Sequence, residues 1–436
     1  GQPGWSGSAA MTRLEQQLRQ LSSAPPIRPR APMESISRRA RQLTWHRRAA
    51  AGLAVTVVVA LAVPLTVLSR GPSKATQLHV EGGTGIAVPR LIATLQVPDQ
   101  SRGGPLGPSV ALSEKAAVVG SPGQAGGRAY LFSASRGGWK QVAQLRGSDN
   151  SPVDQFGSAV AISGDTVVAG APGHGGGRAY VFVKERGSWK QVAELEGSDT
   201  DAPDQFGTAV AISGNTLIVT APGHGHSAGR AYIFSVSAGR WVQVQEIVGS
   251  DTAAGDQFGS GIAISGDTAV VGAASHEYGA FYVFDHRATG WKQSSELSPA
   301  PLLGAVPGFG QYMALSAGTL LLTTPGNYDV PSEANNLGPA QVLELTPSGF
   351  TSPIPLTAGN SPYGPNFATT VALSGPVALI GSAPGARAYL YEHTSKGWQF
   401  VTQLQGRDTG AITSTVAVYG STALVAVAGS VDVFKI

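Results

Sequence analysis

Between residues 158 and 195 the apolar positions fall into four short runs, Ser158–Ile162, Thr166–Gly170, Arg178–Val183 and Trp189–Leu195. In the first run Ala159 and Ala161 alternate with Val160 and Ile162. That alternation gives one thin and one bulky face, the signature of a strand whose sheet is packed on both sides. Ser163-Gly164-Asp165, the glycine-rich Ala171–Gly177 and Lys184–Ser188 separate the runs with turn-forming residues. The pattern predicts four antiparallel strands joined by hairpins and one longer loop.

The same pattern returns along the chain. With Phe156 as phase marker, the equivalent positions are Leu106, Phe156, Phe206, Phe258, Phe309, Phe367 and Ile412, spaced by 50, 50, 52, 51, 58 and 45 residues. Seven units of this length, each with several short strands, predict an all-β, seven-bladed β-propeller of four-stranded antiparallel blades over residues 88–436. The fourth strand opens on Trp139, Trp189, Trp241, Trp291, Phe350 and Trp398 in successive units, positions suited to packing between blades. The seventh unit offers only three strands, Thr415–Val418, Ala423–Val427 and Val431–Phe434. Upstream, residues 90–95 match the pattern of residues 140–145 without a unit of their own. They are expected to complete the seventh blade and close the ring, which leaves no strand edge open.

Ahead of the propeller the pattern changes. Residues 49–68 carry no charge and match the hydrocarbon thickness of a bilayer, which predicts a single transmembrane helix. Arg38, Arg39, Arg41, Arg47 and Arg48 precede it and only Arg70 and Lys74 follow closely, so the N-terminus is placed in the cytoplasm and the propeller outside the cell membrane. Residues 1–48 read as a short cytoplasmic tail, mostly disordered, with a short helix near 12–21 begun by Thr12 and Glu15. Residues 69–87 read as a linker.

Charge narrows the partners. Of the formal +3, residues 1–48 hold +7, leaving the remainder at −4, so no basic groove for nucleic acid is expected. The chain has no cysteine, which removes disulfides, thiolate metal sites and a cysteine nucleophile.

Phe156-Gly157 with Gly170-Ala171-Pro172 resembles the FG-GAP repeat, the unit of integrin α-subunit propellers and of many bacterial surface proteins. The resemblance continues in Phe206-Gly207 with Pro222, Phe258-Gly259, Phe309-Gly310 and Pro384. It implies an adhesion or ligand-binding module whose partner is an external protein or glycan. Integrin-type units often carry a calcium loop between the first two strands. Here that connection is Ser163-Gly164-Asp165-Thr166, Ser213-Gly214-Asn215-Thr216 or Ser265-Gly266-Asp267-Thr268, too short and too poor in oxygen ligands for calcium. No cofactor and no metal are expected.

The strand order brings the four-to-one and two-to-three connections to one face, the default binding surface. Candidates there are Asp149 and Asp154, Asp199, Asp201 and Asp204, and Asp251 and Asp256. Carboxylates five apart can share a cation; as a recurring device they instead cap turns. Arg128, Arg178, Arg230 and Arg387 recur before the third strand and suggest Arg–Asp pairs within a blade. His174, His224, His226 and His276 occupy the two-to-three loops of three consecutive units. Imidazoles can bind zinc or copper, but scattered loop polarity is the expected role.

No nucleophile elbow, phosphate-binding loop, His-Glu-x-x-His or sialidase box is present, so no catalytic residue is expected. Display of a binding module is the leading expectation. The alternatives are a transmembrane sensor or regulator that signals through a cytoplasmic partner of residues 11–45, and a propeller-type hydrolase.

Overall fold

The computed structural model describes residues 88–97, 109–123, 126–277, 279–298, 309–323, 340–346, 349–356, 367–382, 387–407, 415–427 and 429–436. The expected tail, transmembrane helix and linker lie outside the described residues, as do Leu106, Pro384 and Ile412. Among the described residues no helix is long and apolar enough to cross a membrane.

The described residues form seven antiparallel sheets, one per repeat, and in six of them the strands follow chain order from the first strand outward. Blade 2 is representative: Val160–Ser163, Thr166–Ala171, Arg178–Glu185 and Ser188–Leu195. Its strands pair in simple up-and-down register, Ile162 opposite Val167, Val168 opposite Val181 and Tyr180 opposite Glu194. The first strand is the most buried. Val160, Ala161 and Ile162 are all 0% exposed, because the first strands of successive blades contact one another all the way round, that of blade 7 (Thr415–Tyr419) meeting that of blade 1 (Val110–Leu112). Burial falls outward, and the fourth strand alternates exposed and half-buried residues. A one-residue bulge between the third and fourth strands recurs in blades 1, 2, 3, 4 and 6. Such bulges increase strand twist, which lets flat neighbours become fanned ones. Blade 5 departs from the rest: its outer strand is split into Gly349–Phe350 and Ile354–Pro355.

Blade 7 contributes Thr415–Tyr419, Thr422–Val427 and Ser430–Lys435, and its outermost strand is Arg90–Gln96. Leu95 lies opposite Val431 and Arg90 opposite Lys435. The Thr94 hydroxyl donates to the buried Asp432 carboxylate at 2.6 Å, a bond between residues 338 apart in sequence.

The glycines of the repeat meet between blades. A Cβ built on Gly170, in the second strand of blade 2, would lie 2.0 Å from the carbonyl oxygen of Gly207 at the entry to blade 3; Gly120 meets Gly157 and Gly272 meets Gly310 in the same way. The two halves of the repeated motif therefore touch across a blade boundary, and the glycines there are set by backbone contact. We predict that Gly170→Ala destabilises the protein by about 3 kcal/mol, since a rigid carbonyl must move to admit the methyl. Gly164→Ala, in a turn with φ +55° and open space around it, is expected to cost only about 1 kcal/mol. Denaturant unfolding of the two variants side by side checks the ordering.

A second interblade contact comes from the turn serines. Ser163, Ser213, Ser265, Ser316 and Ser374 each accept a hydrogen bond at the hydroxyl oxygen from a backbone N–H in the matching turn of the next blade, at 3.0–3.1 Å. The tryptophans expected between blades are mostly half-buried: Trp139, Trp189, Trp241 and Trp398 pack against the apolar clusters, and Trp291 is 5% exposed within one.

Candidate functional site

The loop face of blades 2, 3 and 4 is built three times from the same parts. In blade 2, the connection from the preceding blade carries Asp149 and Asp154, and the loop between strands two and three carries His174. His174 Nδ1 lies 2.8 Å from Asp154 Oδ2, and its Nε2 lies 3.5 Å from Asp149 Oδ2. The other Asp149 oxygen accepts the Tyr180 hydroxyl at 2.6 Å. Blade 3 repeats this with His224, Asp204, Asp199 and Tyr232 at 2.9, 3.5 and 2.8 Å. Blade 4 repeats it with His276, Asp256, Asp251 and Tyr282 at 2.8, 3.5 and 2.8 Å. A carboxylate only accepts, so each imidazole donates from Nδ1 and its tautomer is fixed.

The second aspartate of each pair also caps its own loop. Asp154 accepts from the Ser151 backbone N–H and hydroxyl, Asp204 from the Asp201 N–H and Asp256 from the Ala253 N–H. Each set thus ties the loop entering a blade to the loop between that blade's second and third strands. The backbone reinforces the tie through Gly173 N–H to Asp154 and Gly223 N–H to Asp204.

Not every candidate joins these sets. Asp201 supplies backbone groups and keeps an exposed side chain. His226 is exposed, in left-handed backbone (φ +61°), and its carbonyl accepts from Gly255 N–H. The expected Arg–Asp pairs do not form at Arg178 or Arg230. Arg178 binds Glu194 and Glu196 at 3.3 and 2.8 Å, and Arg230 binds Glu246, because strand pairing sets glutamates of the fourth strand beside the start of the third. Scattered loop polarity also fails as an account of His174, His224 and His276, which are held between two carboxylates each. The tyrosines are the residues that sequence reasoning missed. Their signal was present, since all three histidines follow their capping aspartate by 20 residues and a tyrosine closes each set in register.

Burial opposes ionisation of Asp154, yet the Ser151 N–H and hydroxyl bonds and His174 outweigh it and hold its pKa below 3.8. Burial, then the bonded aspartate, pushes Tyr180, Tyr232 and Tyr282 well above the ordinary tyrosine range, so they stay protonated donors. Burial works against a charged His276, but Asp256, Asp251 and Glu296 outweigh it and raise its pKa above 6.5. Burial and then Asp251 raise Glu296.

For Asp154 the folded-state pKa is the lower one, so its stabilisation is complete above the unfolded value near 3.8 and disappears as pH falls through the folded value. Asp154→Asn is expected to cost about 2 kcal/mol at pH 6, with the deficit shrinking as pH falls below the unfolded value near 3.8. Thermal unfolding of both proteins across that range reads it; a deficit independent of pH contradicts it.

The FG-GAP repeat family matches residues 139–182, 189–234 and 241–284. Together with seven closed blades, that decides the family. This is an FG-GAP β-propeller protein. Each matched FG-GAP segment starts at the outer-strand tryptophan of one blade and ends in the third strand of the next, and so contains one complete Asp–His–Tyr set. No curated protein sequence matches the chain. Of solved structures, 783 chains match. One, titled "Crystal Structure of Mitotic Checkpoint Complex", aligns over 86% of this FG-GAP propeller chain and 99% of its own, at TM-score 0.51 and 12% identity. At that identity the likeness concerns the fold alone, and a fold so widely shared selects no function.

Proposed function

We propose that the chain is a membrane-anchored, extracytoplasmic propeller that serves as a ligand-binding or adhesion module. The observation that carries this reading is the loop face of blades 2 to 4. Three neighbouring blades fix their long loops with the same Asp–His–Tyr set, while the tops of those loops stay exposed. A surface of loops held on a rigid scaffold is what recognition of an external protein or glycan requires. The anchor is the uncharged stretch 49–68 behind its arginine-rich flank.

The test is a binding screen of the full-length protein against glycans, cell-wall polymers and matrix proteins. Its control is a variant with the exposed residues Val153, Asp201 and His226 changed to serine, none of which joins an Asp–His–Tyr set. A ligand lost by that variant supports the assignment; binding that survives it moves the site off this face.

The arginine-rich segment before residue 49 favours a second reading, a sensor whose tail meets a cytoplasmic partner. Deleting residues 11–45 separates the two: loss of a cellular response with surface localisation intact supports sensing, and an unchanged response supports plain display.

A further inference from the structure

We propose that Asp251, His276 and Glu296 bind a divalent transition-metal ion of the zinc class at the loop face of blade 4. The three blades supply their own comparison. In each, the histidine Nδ1–H is committed to the capping aspartate, which turns the Nε2 lone pair toward an oxygen of the other aspartate at 3.5 Å. That separation is too long for a strong hydrogen bond, and both atoms are electron-pair donors when Nδ1 holds the proton. The pair is a two-ligand fragment in every blade.

What differs is the third group. Glu194, Glu246 and Glu296 occupy one register position, opposite Tyr180, Tyr232 and Tyr282. Arg178 neutralises Glu194 and Arg230 neutralises Glu246. Their counterpart in blade 4 is Ala280, which pairs with Ala273 just as Arg178 pairs with Ala171 and Arg230 with Ala221. Among the described residues no lysine or arginine pairs with Glu296. Its carboxylate instead closes on the neighbouring groups, so that ligand atoms of Asp251, His276 and Glu296 all lie within 4.8 Å of one another. Glu277 adds further negative charge nearby.

The donor set selects the ion. One imidazole nitrogen and two carboxylates, with a fourth position open to solvent, fit a zinc-class ion, with bonds of about 2.0–2.2 Å reached by small side-chain rotations. Calcium wants six to eight oxygens, which these three side chains do not supply. The supporting groups are also in place: Asp256 accepts from His276 Nδ1–H, and the Tyr282 hydroxyl donates to Asp251. A carboxylate behind a ligating histidine fixes the ring and strengthens it as a ligand. A metal at this place departs from the expectation of none, which rested on the missing calcium loop and on reading the loop histidines as scattered polarity.

The test is calorimetric titration of zinc chloride into the chelator-stripped full chain in detergent. One site per chain is expected. Ala280→Arg restores the residue of blades 2 and 3 and should weaken that site at least about tenfold, with thermal unfolding of the metal-free chain unchanged; Glu296→Gln should do the same. Glu246→Gln, the matching change in blade 3, should leave zinc binding intact. Absence of a stoichiometric site overturns the proposal, as does zinc uptake that persists undiminished in both Ala280→Arg and Glu296→Gln, because other histidines would then be the binders. Equal competition by calcium overturns the choice of ion.

Discussion

Deletion of residues 88–96 is expected to yield a chain that aggregates, is cut rapidly by protease and lacks a cooperative thermal transition. The deletion removes the outermost strand of blade 7 and with it every hydrogen bond along Ser430–Lys435 on that side. An open edge of this kind pairs with other chains. It also removes Leu95, 3% exposed, from an apolar cluster that contains Val110, Leu112 and Tyr130 of blade 1 together with Val431 and Val433 of blade 7. The boundary between first and last blades would therefore be wet. Asp432, 1% exposed, would lose the Thr94 hydroxyl and, of its two side-chain bonds among the described residues, keep the Arg407 N–H. Losing a partner for a buried charge alone costs about 2–3 kcal/mol. A synthetic peptide spanning residues 88–97 should restore protease resistance in trans, as added strands do at open sheet edges. Thermal unfolding that matches the full chain would show that the ring does not depend on this strand.

Phe206→Ala should cost about 3–5 kcal/mol, the range for deleting a fully buried ring. The side chain is 0% exposed and sits in the cluster that joins blades 2 and 3, with the rings of Tyr232 and Phe234 at 5.5 and 6.1 Å. Its backbone cannot shift to close the hole. Phe206 N–H donates to Gly176 at 2.8 Å, and Gly177, at φ +99°, lies against the Phe206 carbonyl so closely that a Cβ there would be 2.0 Å away. Val192→Ala, at a position 47% exposed on the outer strand, should fall within about 0.5 kcal/mol of the parent. Urea unfolding midpoints for both variants measure the contrast, and a Phe206→Ala loss below about 1 kcal/mol would mean that the blade interface relaxes freely.

The fold was legible because its determinants are local and repeated. Alternation in Val160–Ile162, the Ser163-Gly164-Asp165 turn and the Phe156 spacing each specify a strand, a hairpin or a period without reference to distant residues. Ser163 shows where that legibility stops. Its place in a tight turn is readable, but its hydroxyl serves Gly214, 51 residues away, and only the fanning of the blades brings the two together. The candidate site was half legible. Its aspartates and histidines stand out as loop residues, yet they read as two separate sets, because the link between them crosses from one loop to another. Tyr180, Tyr232 and Tyr282 were hidden by their apolar neighbours, which make them look like ordinary core. The arginine partners required the register of the third and fourth strands. A bulge between Val181 and Phe182 moves that register by one residue, and alternation does not reveal it.

The bond between Thr94 and Asp432 sets an order of events during synthesis. Blades 1 to 6 are each made from consecutive strands, so each can pair its strands soon after it leaves the ribosome, whereas Arg90–Gln96 has no sheet to join until Ser430–Lys435 has been made. The strand translated first is thus the last to find its place, and it must stay extended and unpaired while more than 300 residues fold. Its polar and apolar residues alternate in Arg90-Leu91-Ile92-Ala93-Thr94-Leu95-Gln96 only in part, so for that interval the segment needs something to keep it from pairing elsewhere.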